Sequence, residues 1–191
     1  SQVFGLPADM ITSELRRRAK AVNFGIVYGI SAHSLAEDLS VPYGEAAQYI
    51  RDYLRTYAGV DAYMKETVER AKEQGYVTTL FGRRRDIPEL KSSNGNLRAF
   101  GERAAMNAPI QGTAADIIKI AMIRVQRRLE EEKLRARLIL QVHDELIVEA
   151  PEAEAGRAAE ILQYEMEHAV SLRVPMLVEV HQGKDWFTAK G

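Results

Sequence analysis

From Thr12 to Gln74 the apolar residues of the chain recur at helical spacing, and the punctuation between them predicts four helices. Thr12 offers an N-cap for a helix over about 13–28, closed by Gly29. Ser31 offers another for a short helix through Leu39, with Pro42 and Gly44 marking the break. In "EAAQYIRDYLRTY" the residues Ile50, Tyr53, Leu54 and Tyr57 share one stripe, and a fourth helix runs from about Val60 to a stop at Gly75. "YVTTLF" then predicts a strand, before the turn-like "GRRRDIPEL" and the polar loop "KSSNGN". That loop divides the chain into regions 1–95 and 96–191. A helix over about 97–107, interrupted by Pro109 and Gly112, resumes from Ala114 to about Lys133. "ARLILQV" and "ELIVEA" are strands with only His143 and Asp144 between them, a tight antiparallel hairpin. A helix over about 152–170 and a strand "PMLVEVH" complete the pattern. Runs of helix followed by an antiparallel hairpin define an α+β fold.

Composition narrows this picture at three points. The 191 residues, 46% hydrophobic and 28% charged, are enough to bury a core, which excludes a disordered chain. There is no cysteine, so disulfides, thiolate metal sites and thiol nucleophiles are excluded. No apolar run approaches the roughly 18 residues that span a bilayer, and "SQVFGLPADM" lacks the pattern of a signal peptide, so a cytoplasmic location is expected. The net charge of −1 argues against bulk attraction to nucleic acid. Any such contact has to be local, and "RRRAK" is the densest cationic cluster.

Two stretches carry candidate chemistry. In "LQVHDELIVEA" the hairpin turn is His-Asp, although two-residue turns favour Asn-Gly or Asp-Gly because their central residues take positive φ. A local preference broken in this way marks a candidate site. Asp144 and Glu145 at the end of a sheet offer hard carboxylate oxygens suited to Mg²⁺, which takes one or two protein carboxylates and keeps several waters. The plain alternative is an acidic turn in water.

In "ELRRRAKAVNFGIVYG" the residues Arg16, Lys20, Phe24 and Tyr28 recur every four positions. Each step turns a helix about 40° past a full circle, and the whole stripe rises roughly 18 Å. Two cations at one end and two aromatic rings at the other suit a ligand with phosphates at one end and a flat base at the other. An amphipathic helix with a solvated basic face is the simpler reading of this stretch taken alone.

Taken together, these stretches resemble family A DNA polymerases. "RRRAKAVNFGIVYG" is similar to the family's nucleotide-binding helix: Arg, three residues, Lys, six residues, then Tyr-Gly. "VHDE" resembles its third catalytic motif, and "RAAMNAPIQGTAADIIKIAM" its helix along the minor groove of primer–template DNA. The similarity runs from about Gln2 to Lys190 with consistent order and spacing.

The resemblance implies a partial right-hand polymerase fold: helical fingers over 1–95, then a palm over 96–191 with a small antiparallel sheet covered by helices. It implies template-directed deoxynucleotidyl transfer in DNA replication or repair, with two Mg²⁺ ions in the complete enzyme. Asp144 would be a ligand of those ions and Glu145 a less essential carboxylate beside it. His143 would lie near the primer terminus. Arg16 and Lys20 would hold the triphosphate, Lys20 also giving a proton to the leaving pyrophosphate. Phe24 would pack on the deoxyribose, its lack of a hydroxyl implying rejection of dideoxynucleotides, and Tyr28 with Gly29 would sit by the templating base. Arg103, Asn107 and Gln111 would reach minor-groove acceptors common to all correct pairs; helix capping around Pro109 is the other role open to the last two. Arg83, Arg84 and Arg85 would touch template phosphate or form a salt-bridged turn. The partners implied are primer–template DNA, deoxynucleoside triphosphates and the rest of a polymerase chain.

The sequence also departs from the family. A second catalytic aspartate, in a strand motif resembling Asp-Tyr-Ser-Gln-Ile-Glu, appears nowhere, and Asp9 does not replace it because it sits at a helix start. A thumb and an exonuclease region are missing too. The chain therefore reads as the C-terminal part of a polymerase, inactive alone and with a sheet edge open to self-association. A non-catalytic nucleotide- or nucleic-acid-binding module that retains the fold is the alternative. A nuclease built on "HDE" leaves the basic helix unexplained.

Overall fold

The computed structural model describes residues 7–190, and these form two compact units divided after Gln111. The elements are helical with two small antiparallel sheets, an α+β fold.

In the first unit, α1 (Ser13–Val27) begins where the Thr12 Oγ1 accepts a hydrogen bond from the Leu15 N–H at 3.2 Å. It ends at Tyr28, and Gly29 then takes φ +70. Ser31 caps α2 (Ala32–Leu39) by accepting from the Ser34 N–H at 3.1 Å. These two helices and α3 (Tyr43–Thr56) share a core of Val22, Ile26, Leu35, Ala46 and Tyr53. The Tyr53 hydroxyl meets its need for a partner by donating to Asn23 Oδ1 at 2.5 Å.

A second cluster joins α4 (Ala58–Gln74) through Val68 and Ala71 to Val77, Ile87, Leu90, Ala105 and Ala108. Helix α4 stops at Gly75, in the left-handed region at φ +83. The strand predicted over "YVTTLF" is shorter in the structure. β1 is Tyr76–Thr78, because the Thr79 Oγ1 then accepts from the Phe81 and Arg83 N–H groups and starts a turn. β2 is Arg84–Asp86, paired antiparallel with Tyr76 opposite Asp86. Arg84 and Arg85 therefore lie on a strand, where the sequence pattern predicts a turn.

Helix α5 runs unbroken over Gly95–Glu131 with Pro109 inside it, although the sequence predicts a break there. An interior proline costs about 3 kcal/mol, since it has no N–H for the carbonyl four residues back. The buried Ala105, Ala108 and Pro109 sit on this stretch, and packing of its apolar face offsets the cost.

In the second unit, Ile118, Ala121, Val125 and Leu129 recur along the inner face of α5. They pack with Leu146, Ala158 and Ile161. Leu146 belongs to the predicted hairpin, β3 (Arg137–Val142) and β4 (Glu145–Glu149), whose register sets Val142 opposite Glu145. An irregularity between Leu138 and Leu140 leaves Ile139 out of the ladder. A 3₁₀ turn, Glu152–Glu154, leads into α6 (Ala155–Glu167), and α7 (Trp186–Lys190) follows Asp185, whose Oδ1 accepts from the Thr188 N–H at 2.7 Å. The predicted strand "PMLVEVH" is not a strand here: nothing among the described residues pairs with it. No helix among the described residues is long and apolar enough to cross a membrane.

One ion network ties the end of α5 to α6. The Glu132 carboxylate accepts from Arg157 at 2.6 Å and from Arg128 at 2.7 Å, while Arg157 also reaches Glu160 at 2.7 Å. Hydrogen bonds from Arg157 first, then Arg128, pull the Glu132 carboxyl down to about 2. A carboxyl depressed in the folded state adds stability above its ordinary value of 4.5, and that stability is lost as pH falls towards about 2. We expect Glu132→Gln to unfold at lower urea than the parent at pH 6 and to narrow the gap as pH falls from 4.5. A gap that stays constant across this range would overturn the assignment.

Candidate functional site

The predicted stripe on α1 is a solvent face. Arg16, Lys20, Phe24 and Tyr28 are all exposed, while Val22, Gly25 and Ile26 on the other side are buried. Phe24 is 49% exposed, and its ring lies within 17° of parallel to that of Tyr28, with centroids 6.3 Å apart. The basic cluster divides in two. Arg17 and Arg18 are both held by Glu14, at 2.9 Å and 3.1 Å, and their hydrogen bonds lower the Glu14 carboxyl. Arg16 and Lys20 make no ion pair among the described residues. The free cations thus share a face with the two exposed rings, an arrangement suited to a phosphate ester of a flat base.

The end of α1 is fixed by Gly29. A Cβ there would lie 2.7 Å from Met106 Cε and 2.9 Å from Arg103 Cγ, and φ +70 already disfavours any side chain. The backbone of α1 therefore rests on the Arg103 face of α5. Gln111, two further steps of four along α5, donates from Nε2 to the Tyr28 hydroxyl at 2.6 Å. An open concavity of roughly 580 Å³ lies here, lined by Phe24, Tyr28, Gly29, Ser31, Asp38 and Arg103. Ser31 and Asp38 of α2 belong to no motif in the sequence; the cap at Ser31, which turns the chain back along α1, is the signal that would have found them.

Arg103, Asn107 and Gln111 lie along α5 at steps of four, Arg103 and Gln111 exposed and Asn107 half-buried. Asn107 Oδ1 is buried without a hydrogen-bond partner. Since α5 continues through Pro109, neither Asn107 nor Gln111 caps a helix end, which removes that alternative. Arg84 pairs with Asp86 at 2.7 Å and lies 4.0 Å above the Tyr76 ring, so the salt-bridged role open to it is realised. Arg83, Arg84 and Arg85 are exposed.

In the second unit, His143 and Asp144 form the hairpin turn and are exposed, and Glu145 opens β4 half-buried. His143 takes the left-handed conformation at φ +53, a cost on the order of 1–3 kcal/mol for a residue other than glycine. Its carbonyl accepts from Gln141 Nε2 at 2.9 Å, which steadies the turn. Among the described residues no three His, Cys, Asp or Glu side chains group as a metal site.

The model of the family described as DNA polymerase family A matches residues 1–188, and the chain belongs to that family. It is 54% identical over 188 residues to DNA polymerase I of Bacillus subtilis, covering 98% of this chain and 21% of that protein. It is 47% identical to the thermostable DNA polymerase I of Thermus thermophilus, covering 100% of this chain and 23% of that one. The chain thus spans about a fifth of the length of these relatives. A solved structure, the POL domain of Pol1 from M. smegmatis in complex with DNA primer-template and dNTP, superposes with a TM-score of 0.96 at 45% identity. It covers all of this chain and 34% of that one.

We expect Gly29→Ala to destabilise the first unit by at least about 1–2 kcal/mol, the cost of a left-handed residue with a Cβ, with the clash in addition. Gly59→Ala in α4, where a Cβ meets nothing within 4 Å, is expected to be neutral or stabilising. Urea denaturation of both variants decides it, and equal midpoints would overturn the seat at Gly29.

Proposed function

We propose that this chain is the fingers and part of the palm of a DNA-directed DNA polymerase acting in replication or repair. The observation that carries the reading is the exposed face of α1, where unpaired Arg16 and Lys20 stand beside Phe24 and Tyr28 in a chain of this family. The complex of the Pol1 domain from M. smegmatis with primer-template and dNTP supports DNA and deoxynucleoside triphosphates as the partners.

In this reading Arg16 grips the triphosphate bidentately and Lys20 supplies a mobile charge and a proton for the leaving pyrophosphate. Phe24 packs on the deoxyribose. Tyr28, with Gly29 fixed behind it, meets the templating base. Arg103, Asn107 and Gln111 turn donors to minor-groove acceptors that all correct pairs share. Arg83 and Arg85 lie against template phosphate.

Asp144 fits one Mg²⁺ as an exposed hard donor, with Glu145 beside it and His143 towards the primer terminus. Bound there, the ion would supply charge to the departing phosphate oxygens. The carboxylate for a second ion belongs to the rest of a cytoplasmic polymerase chain, and the isolated chain is inactive.

Two assays test this. The purified chain with Mg²⁺, four deoxynucleotides and a primed template should give no extension; template-directed extension that Asp144→Ala abolishes would refute the catalytic inventory. Next, the chain is placed in Bacillus subtilis DNA polymerase I in exchange for the segment it matches. In this chimera Lys20→Ala should slow extension by about 100-fold or more, as loss of a general acid does, with Lys20→Arg keeping part of the rate. Near-normal turnover of the alanine variant would sink the role of Lys20.

A further inference from the structure

Within the first unit, helix α5 has an inner and an outer face. At about 100° per residue, Gly101, Ala105 and Ala108 share the inner one, and all three are buried. Gly101 seats it, because a Cβ there would lie 2.9 Å from the Leu90 backbone nitrogen and 3.0 Å from Glu89 Cβ. Phe100, Arg103, Asn107 and Gln111 fall within an arc of about 80° on the other side. Phe100 thus begins the outer stripe and takes no part in the core. It is 48% exposed, and its ring meets no other ring or cation among the described residues. An exposed apolar side chain is common by itself. Here the neighbours decide its use. Arg103, one turn further on, is exposed and makes no ion pair among the described residues. Glu102, the first carboxylate along α5, is held by Lys72 of α4 at 3.0 Å. The ring therefore stands beside an unpaired cation, with the adjacent negative charge neutralised. That combination binds single-stranded nucleic acid: the ring stacks on a base and the cation takes a phosphate.

We infer that Phe100 is a stacking residue for an unpaired base of the template strand, ahead of the pair being formed. This rests on the polymerase reading, in which Arg103, Asn107 and Gln111 face correct pairs and Tyr28 meets the templating base. Gly29 is seated against Arg103, so the templating position lies at that step of α5. Phe100 stands roughly 4.5 Å before it along the axis, on the far side from Asn107 and Gln111. A strand that reaches the ring there has not yet been paired, and its bases are open to stacking. The ring carries no hydrogen-bonding group, so it accepts every base alike, as copying any sequence requires.

Binding by the same chimera with Bacillus subtilis DNA polymerase I tests this, on primed templates that end at the templating base or continue as a longer single strand. Phe100→Ala should weaken the complex with the longer template about 10-fold and leave the shorter one unchanged, and Phe100→Trp should restore it. Abasic sites in the single strand should cost the parent a similar factor and the alanine variant nothing further, since both remove one contact. A fluorescent adenine analogue in the single strand should be quenched more by the parent than by Phe100→Ala. Equal loss on both templates, or loss on neither, overturns the inference. So does full binding by Phe100→Leu, which keeps an apolar side chain and removes the ring. A lower urea midpoint for the Phe100→Ala chimera, with binding of the longer template intact, overturns it in favour of packing against the rest of the chain. Primer extension is scored separately. Loss confined to the longer template in a chimera that does not extend removes the polymerase reading and leaves the stacking standing; normal extension without that loss removes the stacking alone.

Discussion

The candidate site of the first unit depends on one backbone contact, the left-handed Gly29 pressed against Arg103 and Met106 of α5. Because no Cβ intervenes, the end of α1 comes close enough for the Tyr28 hydroxyl to take the Gln111 amide at 2.6 Å. The position of Tyr28 sets that of Phe24 one turn back, since the two rings lie nearly parallel on a rigid helix. Lys20 and Arg16 follow at the same spacing. A single conformational requirement at the C-terminal end of α1 thus aims a face of roughly three turns.

Charge is apportioned with similar economy. Glu14 stands in the first turn of α1, where a carboxylate is favoured by the helix dipole, and it neutralises Arg17 and Arg18. The two cations on the exposed stripe, Arg16 and Lys20, are left unpaired among the described residues. This explains how a chain of net charge −1 presents a locally cationic face. Exposed pairs such as Glu14 with Arg17 contribute little stability. Their effect is to decide which basic side chains of α1 remain outside ion pairs among the described residues.

The hairpin was legible in the sequence because both its strands and its loop length are local properties. "RLILQV" and "ELIVE" flank two residues, and the register with Val142 opposite Glu145 follows from that length. Reading His-Asp as an unfavourable turn also anticipated where strain would fall, since His143 takes φ +53. Two other readings failed for reasons beyond local reach. Pro109 is a helix breaker in isolation, yet the apolar packing around Ala105 and Ala108 carries α5 past it. "PMLVEV" has the alternation of a strand, and its burial alternates accordingly, but a strand also needs a neighbour to bond.

By itself the sequence determined the helix caps, the stripe of Arg16, Lys20, Phe24 and Tyr28, the hairpin and the α+β class. Each of these rests on periods of 3.6 or two and on the conformational limits of single residues. The tertiary structure decided which cations stay unpaired, that Gln111 bonds Tyr28 across 83 positions of chain, and that Ser31 and Asp38 line the same concavity. Those facts depend on groups distant in sequence meeting within a few ångströms, and no periodic pattern encodes such a distance. Packing alone sets it.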